Sequence, residues 1–235
     1  MNINRPDPRI RVALLVPSSN RVMENDLHAA LPKTRFTVHT DRMYLVETTR
    51  EKEIEMIERF APQAAADLGT AHPDVLVFGC TSAGSLFGLD YDARICRELG
   101  EKAGCEGIGV ISSVARALQR QNAKRLAVLT PYNEDLTASV AKAAGAGREV
   151  VCAFGMGITD NAALADPTPD DIVSFARQKL RGYEFDGLFV SCTNFRALEA
   201  REALQDAFKT SVVTSNSAMI DALLAYAPEP GRTPS

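Results

Sequence analysis

The chain has 235 residues, 46% of them apolar and 24% charged, with a formal net charge of −4; this is enough for one large α/β domain or two lobes of roughly 110 residues, and it is far from a fibrous or disordered composition. The basic residues are scattered, which argues against a nucleic-acid surface, and no run approaches the roughly 18 apolar residues of a membrane span. The start, Met1-Asn2-Ile3-Asn4-Arg5-Pro6, has no apolar signal-peptide core, so the expectation is a cytoplasmic protein that handles a small molecule.

Short apolar runs rich in β-branched residues alternate with longer amphipathic segments, the pattern of parallel strands joined by crossover helices. In chain order, a strand from Arg11 to Val16 is followed by a helix from Val22 to Leu31 and a strand from Phe36 to Leu45. A helix from Arg50 to Leu68 then leads to a strand from Val75 to Phe78, a loop from Ala83 to Leu89 and a helix from Ala93 to Ala103. The strand from Gly107 to Ile111 and the helix from Val114 to Gln121 complete the first half. The second half runs as strand Arg125 to Leu129, helix Leu136 to Ala144, strand Val150 to Phe154 and a loop from Met156 to Leu164. Helix Asp170 to Arg181, strand Gly187 to Val190, helix Leu198 to Phe208, strand Ser211 to Thr214 and helix Ala218 to Tyr226 finish it.

The halves nearly repeat, at an offset of about 113 residues. Arg11-Val12-Ala13-Leu14-Leu15-Val16-Pro17-Ser18-Ser19-Asn20 is matched by Arg125-Leu126-Ala127-Val128-Leu129-Thr130-Pro131-Tyr132-Asn133, and Phe78-Gly79-Cys80-Thr81-Ser82 by Val190-Ser191-Cys192-Thr193-Asn194. A third pair, Gly109-Val110-Ile111-Ser112-Ser113 and Val212-Val213-Thr214-Ser215-Asn216, is read as an apolar strand running into polar residues. A repeat of this kind predicts an α/β protein of two similar lobes, each a parallel sheet flanked by helices, related by a pseudo-two-fold axis. Residues 10–115 with 216–227 form the first lobe, 116–215 the second, and 228–235 a flexible tail. Ligands of open α/β sheets bind beyond the carboxyl ends of the strands, and all three landmark pairs lie there.

Five cysteines, Cys80, Cys96, Cys105, Cys152 and Cys192, are widely spaced, with no Cys-x-x-Cys pair and no His cluster. The spacing therefore indicates neither a disulfide framework nor a metal site. Cys80 and Cys192 occupy matched positions of the repeat, each between a buried-type strand and a helix start, where a helix dipole is expected to depress a thiol's pKa. Facing each other across one cleft, one thiol can attack or take a proton while the other gives one; the remaining three cysteines are read as structural. The turns after the first strand of each half present Ser18, Ser19, Asn20, Tyr132 and Asn133, whose polar groups suit either helix capping or a substrate carboxylate. Asn161 in the second-lobe loop is either a turn residue or a carboxylate donor. His28, His39 and His72 share no spacing and are expected at the surface or at an interface.

These residues resemble the maleate cis-trans isomerase and arylmalonate decarboxylase family of the aspartate/glutamate racemase superfamily. The likeness spans roughly residues 10 to 226 and rests on Val16-Pro17-Ser18-Ser19-Asn20, Gly79-Cys80-Thr81-Ser82, Pro131-Tyr132, Asp160-Asn161 and Ser191-Cys192-Thr193-Asn194. The resemblance implies that Cys80 is the nucleophilic thiolate, that Cys192 is an acidic thiol, and that Asn20, Tyr132 and Asn161 hold the substrate's carboxylates. Arylmalonate decarboxylases lack the first-lobe cysteine, so two cysteines argue against decarboxylation.

The expected function is a cofactor-independent isomerisation of a small carboxylate or dicarboxylate, maleate to fumarate above all, through a Cys80 adduct. Ser18, Thr81, Ser82, Thr193 and Asn194 are further candidate contacts to the substrate and to the charge that develops on it. Arg196 lies near Cys192 in sequence. No metal, nicotinamide or pyridoxal cofactor is expected, because neither metal-ligand spacing nor a dinucleotide fingerprint is present. The alternatives are a two-cysteine racemase or epimerase of a 2-substituted acid, and a carboxylate-binding protein without turnover. Oligomeric state is open, and a homo-oligomer is compatible with the sequence.

Overall fold

The computed structural model describes residues 7–226. The opening residues 1–6 and the proposed tail 228–235 lie outside the described residues. The described residues form two four-stranded, wholly parallel sheets. The first holds β1 (Ile10–Pro17), β2 (Phe36–Met43), β3 (Val75–Phe78) and β4 (Glu106–Gly109); the second holds β5 (Arg125–Thr130), β6 (Glu149–Gly155), β7 (Gly187–Val190) and β8 (Ser211–Thr214). Their strand orders are β2-β1-β3-β4 and β6-β5-β7-β8, the same order shifted by four strands. Repetition in sequence is thus repetition in topology.

The central strands are buried on both faces, as parallel strands covered by helices must be. Val12, Leu14 and Val16 of β1 face one core while Ala13 and Leu15 face the other, the alternation that a pleated strand imposes. The first of these cores is continuous with the second lobe through Leu126, Val128, Leu188 and Val190.

The helices are α1 (Met23–Ala30), α2 (Arg50–Glu55), α3 (Ala61–Gly69), α4 (Thr81–Ser85), α5 (Leu89–Ala103), α6 (Val110–Arg120), α7 (Glu134–Ala144), α8 (Pro169–Lys179), α9 (Ala197–Phe208) and α10 (Ser215–Tyr226). A π-helical turn, Met56–Phe60, joins α2 to α3. Pro62, in the first turn of α3, has no N–H to donate and its ring crowds the carbonyl four residues back, so the helix widens there rather than running straight on. Helices α6 and α10 follow the last strand of each sheet and pack against each other, α10 also resting on α1 and α6 on α7. Among the described residues no helix is long and apolar enough to cross a membrane.

Three local expectations are corrected. Val110 and Ile111 open α6 instead of ending a strand: they share with Val114, Ala117 and Leu118 one buried helical face, and an apolar pair alone does not distinguish strand from helix. Ser112 and Asn216 accordingly sit in first helical turns. The segment from Ala83 to Leu89 is not all loop, since α4 extends to Ser85 and α5 begins at Leu89.

Candidate active site at the lobe interface

Cys80 and Cys192 leave equivalent strands, β3 and β7, at the carboxyl ends of the two sheets. Gly79 N–H donates to Leu15 O at 2.7 Å and Ser191 N–H to Leu129 O at 2.8 Å, so each cysteine is the first residue beyond its sheet's ladder. Gly79 has to be glycine: a Cβ would lie 2.5 Å from Leu15 O. Cys192 itself has φ 101°, a region that side chains rarely adopt and that costs of order 1–3 kcal/mol. Its N–H donates to Ser215 Oγ at 3.0 Å, and Ser215 Oγ also accepts from Thr81 Oγ1 at 2.8 Å, so one hydroxyl ties the backbone beside one thiol to the side chain beside the other.

Both thiols are 4% exposed. Burial pushes Cys192 up to about 12, against the opposing pull of hydrogen bonds from the Tyr132 hydroxyl and the Asn194 amide. Cys80 is raised well above the ordinary thiol value, first by burial and then by the nearby Glu53 carboxyl, with Cys192 adding to the effect. The dipole-depressed thiol expected from sequence is therefore corrected: α4 has five residues, too few to outweigh desolvation. Tyr132, 1% exposed, is also raised well above its usual value, so it is a neutral donor to Cys192.

Glu53 is the residue that sequence reading missed. It lies on α2, is completely buried, and its Oε1 accepts a very short hydrogen bond from Ser82 Oγ. Ser82 Oγ is in turn 3.8 Å from Cys80 Sγ. Burial, opposed in part by Ser82 and Arg50, lifts Glu53 to about 8.

The other candidates form a belt across the interface. Asn20 Oδ1 accepts from the Val22 and Met23 amides, both at 3.0 Å, capping α1, while its Nδ2 donates to Thr193 Oγ1 at 3.1 Å. Thr193 Oγ1 donates across the lobes to Gly79 O at 2.9 Å. Asn194 Oδ1 accepts from Arg21 N–H at 2.8 Å, and its Nδ2 donates to Asn161 O at 2.6 Å. Asn161 Nδ2 donates to Ser19 Oγ at 2.7 Å, and its Oδ1 accepts from Thr48 Oγ1 at 2.9 Å. Ser18 Oγ accepts from Leu45 N–H at 3.0 Å and donates to Leu45 O, which anchors the turn to the end of β2.

Thr48 escaped sequence reading as well, and Ser215 enters it only as part of the third repeated pair, with no role of its own. Arg196 forms a two-pronged ion pair with Glu199, at 2.8 and 2.7 Å, and does not join the thiols. His28, His39 and His72 are exposed. Cys96 and Cys152 are buried and Cys105 partly so. Among the described residues no three His, Cys, Asp or Glu side chains converge as a metal ion would require.

The profile of the arylmalonate decarboxylase family matches residues 12–235. The maleate isomerase of Geobacillus stearothermophilus is 26% identical over 230 residues, covering 91% of this chain and 90% of its own length. That of Alcaligenes faecalis is 28% identical over 221 residues, covering 87% and 86%. The crystal structure of a variant of the maleate isomerase Iso from Pseudomonas putida S16, solved with maleate, superposes with a TM-score of 0.86 at 26% identity, covering 96% of this chain and 94% of that one.

Proposed function

Because the chain belongs to the arylmalonate decarboxylase family, we propose that it is a cofactor-independent cis-trans isomerase of a small dicarboxylate, converting maleate to fumarate. The observation that carries this reading is the pair of buried thiols at equivalent strand ends, one beside Ser82 and the other beside Tyr132. Family members that decarboxylate lack the first of these thiols, and the similar enzymes named above are maleate isomerases.

In this mechanism the Cys80 thiol first gives up its proton to solvent, and the thiolate adds to one alkene carbon of the bound cis-enedioate. The π electrons move onto the neighbouring carbon and its carboxylate as an enediolate, and Cys192 protonates that carbon. The former double bond is now single and rotates. The Cys192 thiolate then removes the proton again, the double bond re-forms in the trans geometry, and the C–S bond breaks to return the Cys80 thiolate. Tyr132 and Ser82 are the donors nearest the developing charge, and Asn20 and Asn161 hold carboxylates by exchanging bonds they make within the belt. Thr81, Thr193 and Asn194 serve chiefly by fixing the two cysteine turns, and Ser18 by fixing the turn that bears Asn20.

The protein acts in the cytoplasm and its partner is the small dicarboxylate itself. Incubation with maleate, followed by proton NMR, is expected to show fumarate. An unchanged maleate spectrum combined with deuterium exchange at the α-carbon of a 2-substituted acid would replace the isomerase with a racemase, and neither signal would leave a binding protein.

A further inference from the structure

Glu53 has no role in the mechanism just given, yet it is a fully buried carboxyl two hydrogen-bond steps from the Cys80 sulfur. The groups around it decide its state. On its own helix Arg50 is the nearest cation, but that guanidinium is committed to Asp135 at 3.1 Å and to Ser139 Oγ at 2.8 Å. From α4 it faces Ser82, from the position just before that helix Cys80, and from α7 the further negative charge of Asp135. Tyr132, Cys192 and, on α5, Tyr91 all lie within range of its charge. Its Oε2 finds no hydrogen-bond partner among the described residues. An ionised carboxylate stripped of water with one hydroxyl partner and no adjacent cation is expensive, so the resting form at neutral pH is the acid.

A neutral Glu53 permits an orientation of Ser82 that an ionised one forbids, because the short contact in which Ser82 is the donor can reverse only when the carboxyl carries a proton. The acid can donate its proton to Ser82 Oγ, which leaves the Ser82 hydroxyl hydrogen free to point at the Cys80 sulfur. The carboxylate can only accept, so it draws that hydrogen to itself and turns the Ser82 lone pairs toward the sulfur. We propose that Glu53 is a positioning residue that works as a neutral acid: through Ser82 it aims a hydroxyl donor at the Cys80 thiolate, and its ionisation withdraws the donor and places a second negative charge beside the thiol. No proton is consumed in this role; one hydroxyl rotates. The proposal deepens the isomerase reading, because a dianionic substrate is admitted to a site whose extra carboxyl is uncharged, but its test needs no substrate.

The rate of Cys80 alkylation by iodoacetamide, read by peptide mass across pH 6 to 10 with Cys105 as internal reference, distinguishes the possibilities. In the unaltered protein the rate should climb with pH and break toward a shallower slope near 8, where Glu53 ionises. Glu53→Gln, which keeps a hydrogen-bond donor beside Ser82 but cannot ionise, should climb through that region without a break. Glu53→Ala and Ser82→Ala should both slow Cys80 at pH 7, by about fivefold or more, while Cys105 is unmoved. A break that persists in Glu53→Gln, its absence from the unaltered protein, or an alanine variant as reactive as Glu53→Gln would overturn the proposal. Thermal melts identify an alanine variant that has lost its fold, in which case Glu53→Gln and Ser82→Ala decide. Failure to make fumarate from maleate would sink the isomerase reading and leave this profile readable.

Discussion

Thr48 donates a 2.9 Å hydrogen bond to Asn161, the residue 113 positions further along the chain. That separation is the repeat offset, so a residue bonds its own counterpart across the pseudo-two-fold axis. The backbone reinforces the contact: Thr48 N–H donates to Thr159 O at 2.7 Å, Asn161 N–H to Val46 O at 2.9 Å, and Glu47 bridges Asp160. The loop after β2 and the loop after β6 are therefore clasped to each other beside the site.

Removal of the clasp side chains should loosen the interface. Asn161→Ala leaves the buried Thr48 Oγ1 without its partner and takes from the half-buried Ser19 Oγ one of its two bonds, the other to Leu45 O remaining, and is expected to cost about 1–3 kcal/mol, with Thr48→Val costing less. Urea denaturation of both single variants and the double variant should give a coupling of at least about 0.5 kcal/mol between them. Strict additivity would mean that the bond across the axis contributes nothing.

The backbone of Cys192 supplies a second test. At φ 101° glycine is unstrained and alanine is not, so Cys192→Gly should be more stable than Cys192→Ala by about 1–2 kcal/mol, against the usual order in which glycine loses through its freer unfolded chain. Both variants remove the thiol and should be equally inactive. An alanine variant at least as stable as the glycine one would show that the turn relaxes without cost.

Much of this architecture is visible in the sequence, because parallel strands are short apolar runs and the repeat preserves Pro17 with Pro131 and Cys80 with Cys192. What stays hidden has physical reasons. Glu53 sits in Arg50-Glu51-Lys52-Glu53-Ile54-Glu55, where every charged residue reads as a solvated helix face; its burial comes from α4 folding over α2, a contact made 29 residues away. Helix α4 consists of Thr81, Ser82, Ala83, Gly84 and Ser85, of which all but Ala83 have weak helical propensity, and it has no apolar period. Asn20 both caps α1 and donates to Thr193, a double use that its place in a turn does not reveal.

Burial of Glu53 should also be visible in stability. Its carboxyl rises from an ordinary unfolded value to about 8 in the folded protein, so between about pH 4.5 and 8 the native state holds a proton that the unfolded chain releases. The stabilisation is complete below the unfolded pKa and is lost as pH rises through 8, at roughly 1.4 kcal/mol for each pH unit in between. Asp92, buried and raised to about 6, adds a similar slope at lower pH in any variant that retains it. The difference between the unaltered protein and Glu53→Gln, measured by urea unfolding at pH 5, 6.5 and 8, should therefore move in favour of Glu53→Gln as pH rises. A difference independent of pH would mean that Glu53 ionises normally in the fold.

The division of labour between the two cysteines is the sharpest test of the mechanism. Cys80→Ala should abolish turnover while preserving the fold; retention of more than about a tenth of the activity, under about 1.4 kcal/mol of lost transition-state stabilisation, would remove Cys80 from the chemistry. If Cys80 attacks carbon and Cys192 supplies the proton, Cys80→Ser should form no covalent adduct with maleate, whereas Cys192→Ser should still form one. The asymmetry follows from what each position must do: a serine hydroxyl is a far poorer nucleophile than a thiolate near neutral pH, but beside Tyr132 it can still hydrogen-bond and exchange protons with solvent. Intact-mass measurement after mixing each variant with maleate reads the outcome, and peptide digestion locates the added mass. An adduct in Cys80→Ser, or one carried by Cys192, would reverse the assignment; the absence of an adduct in both variants, together with α-carbon exchange, would make the two thiols a proton-transfer pair.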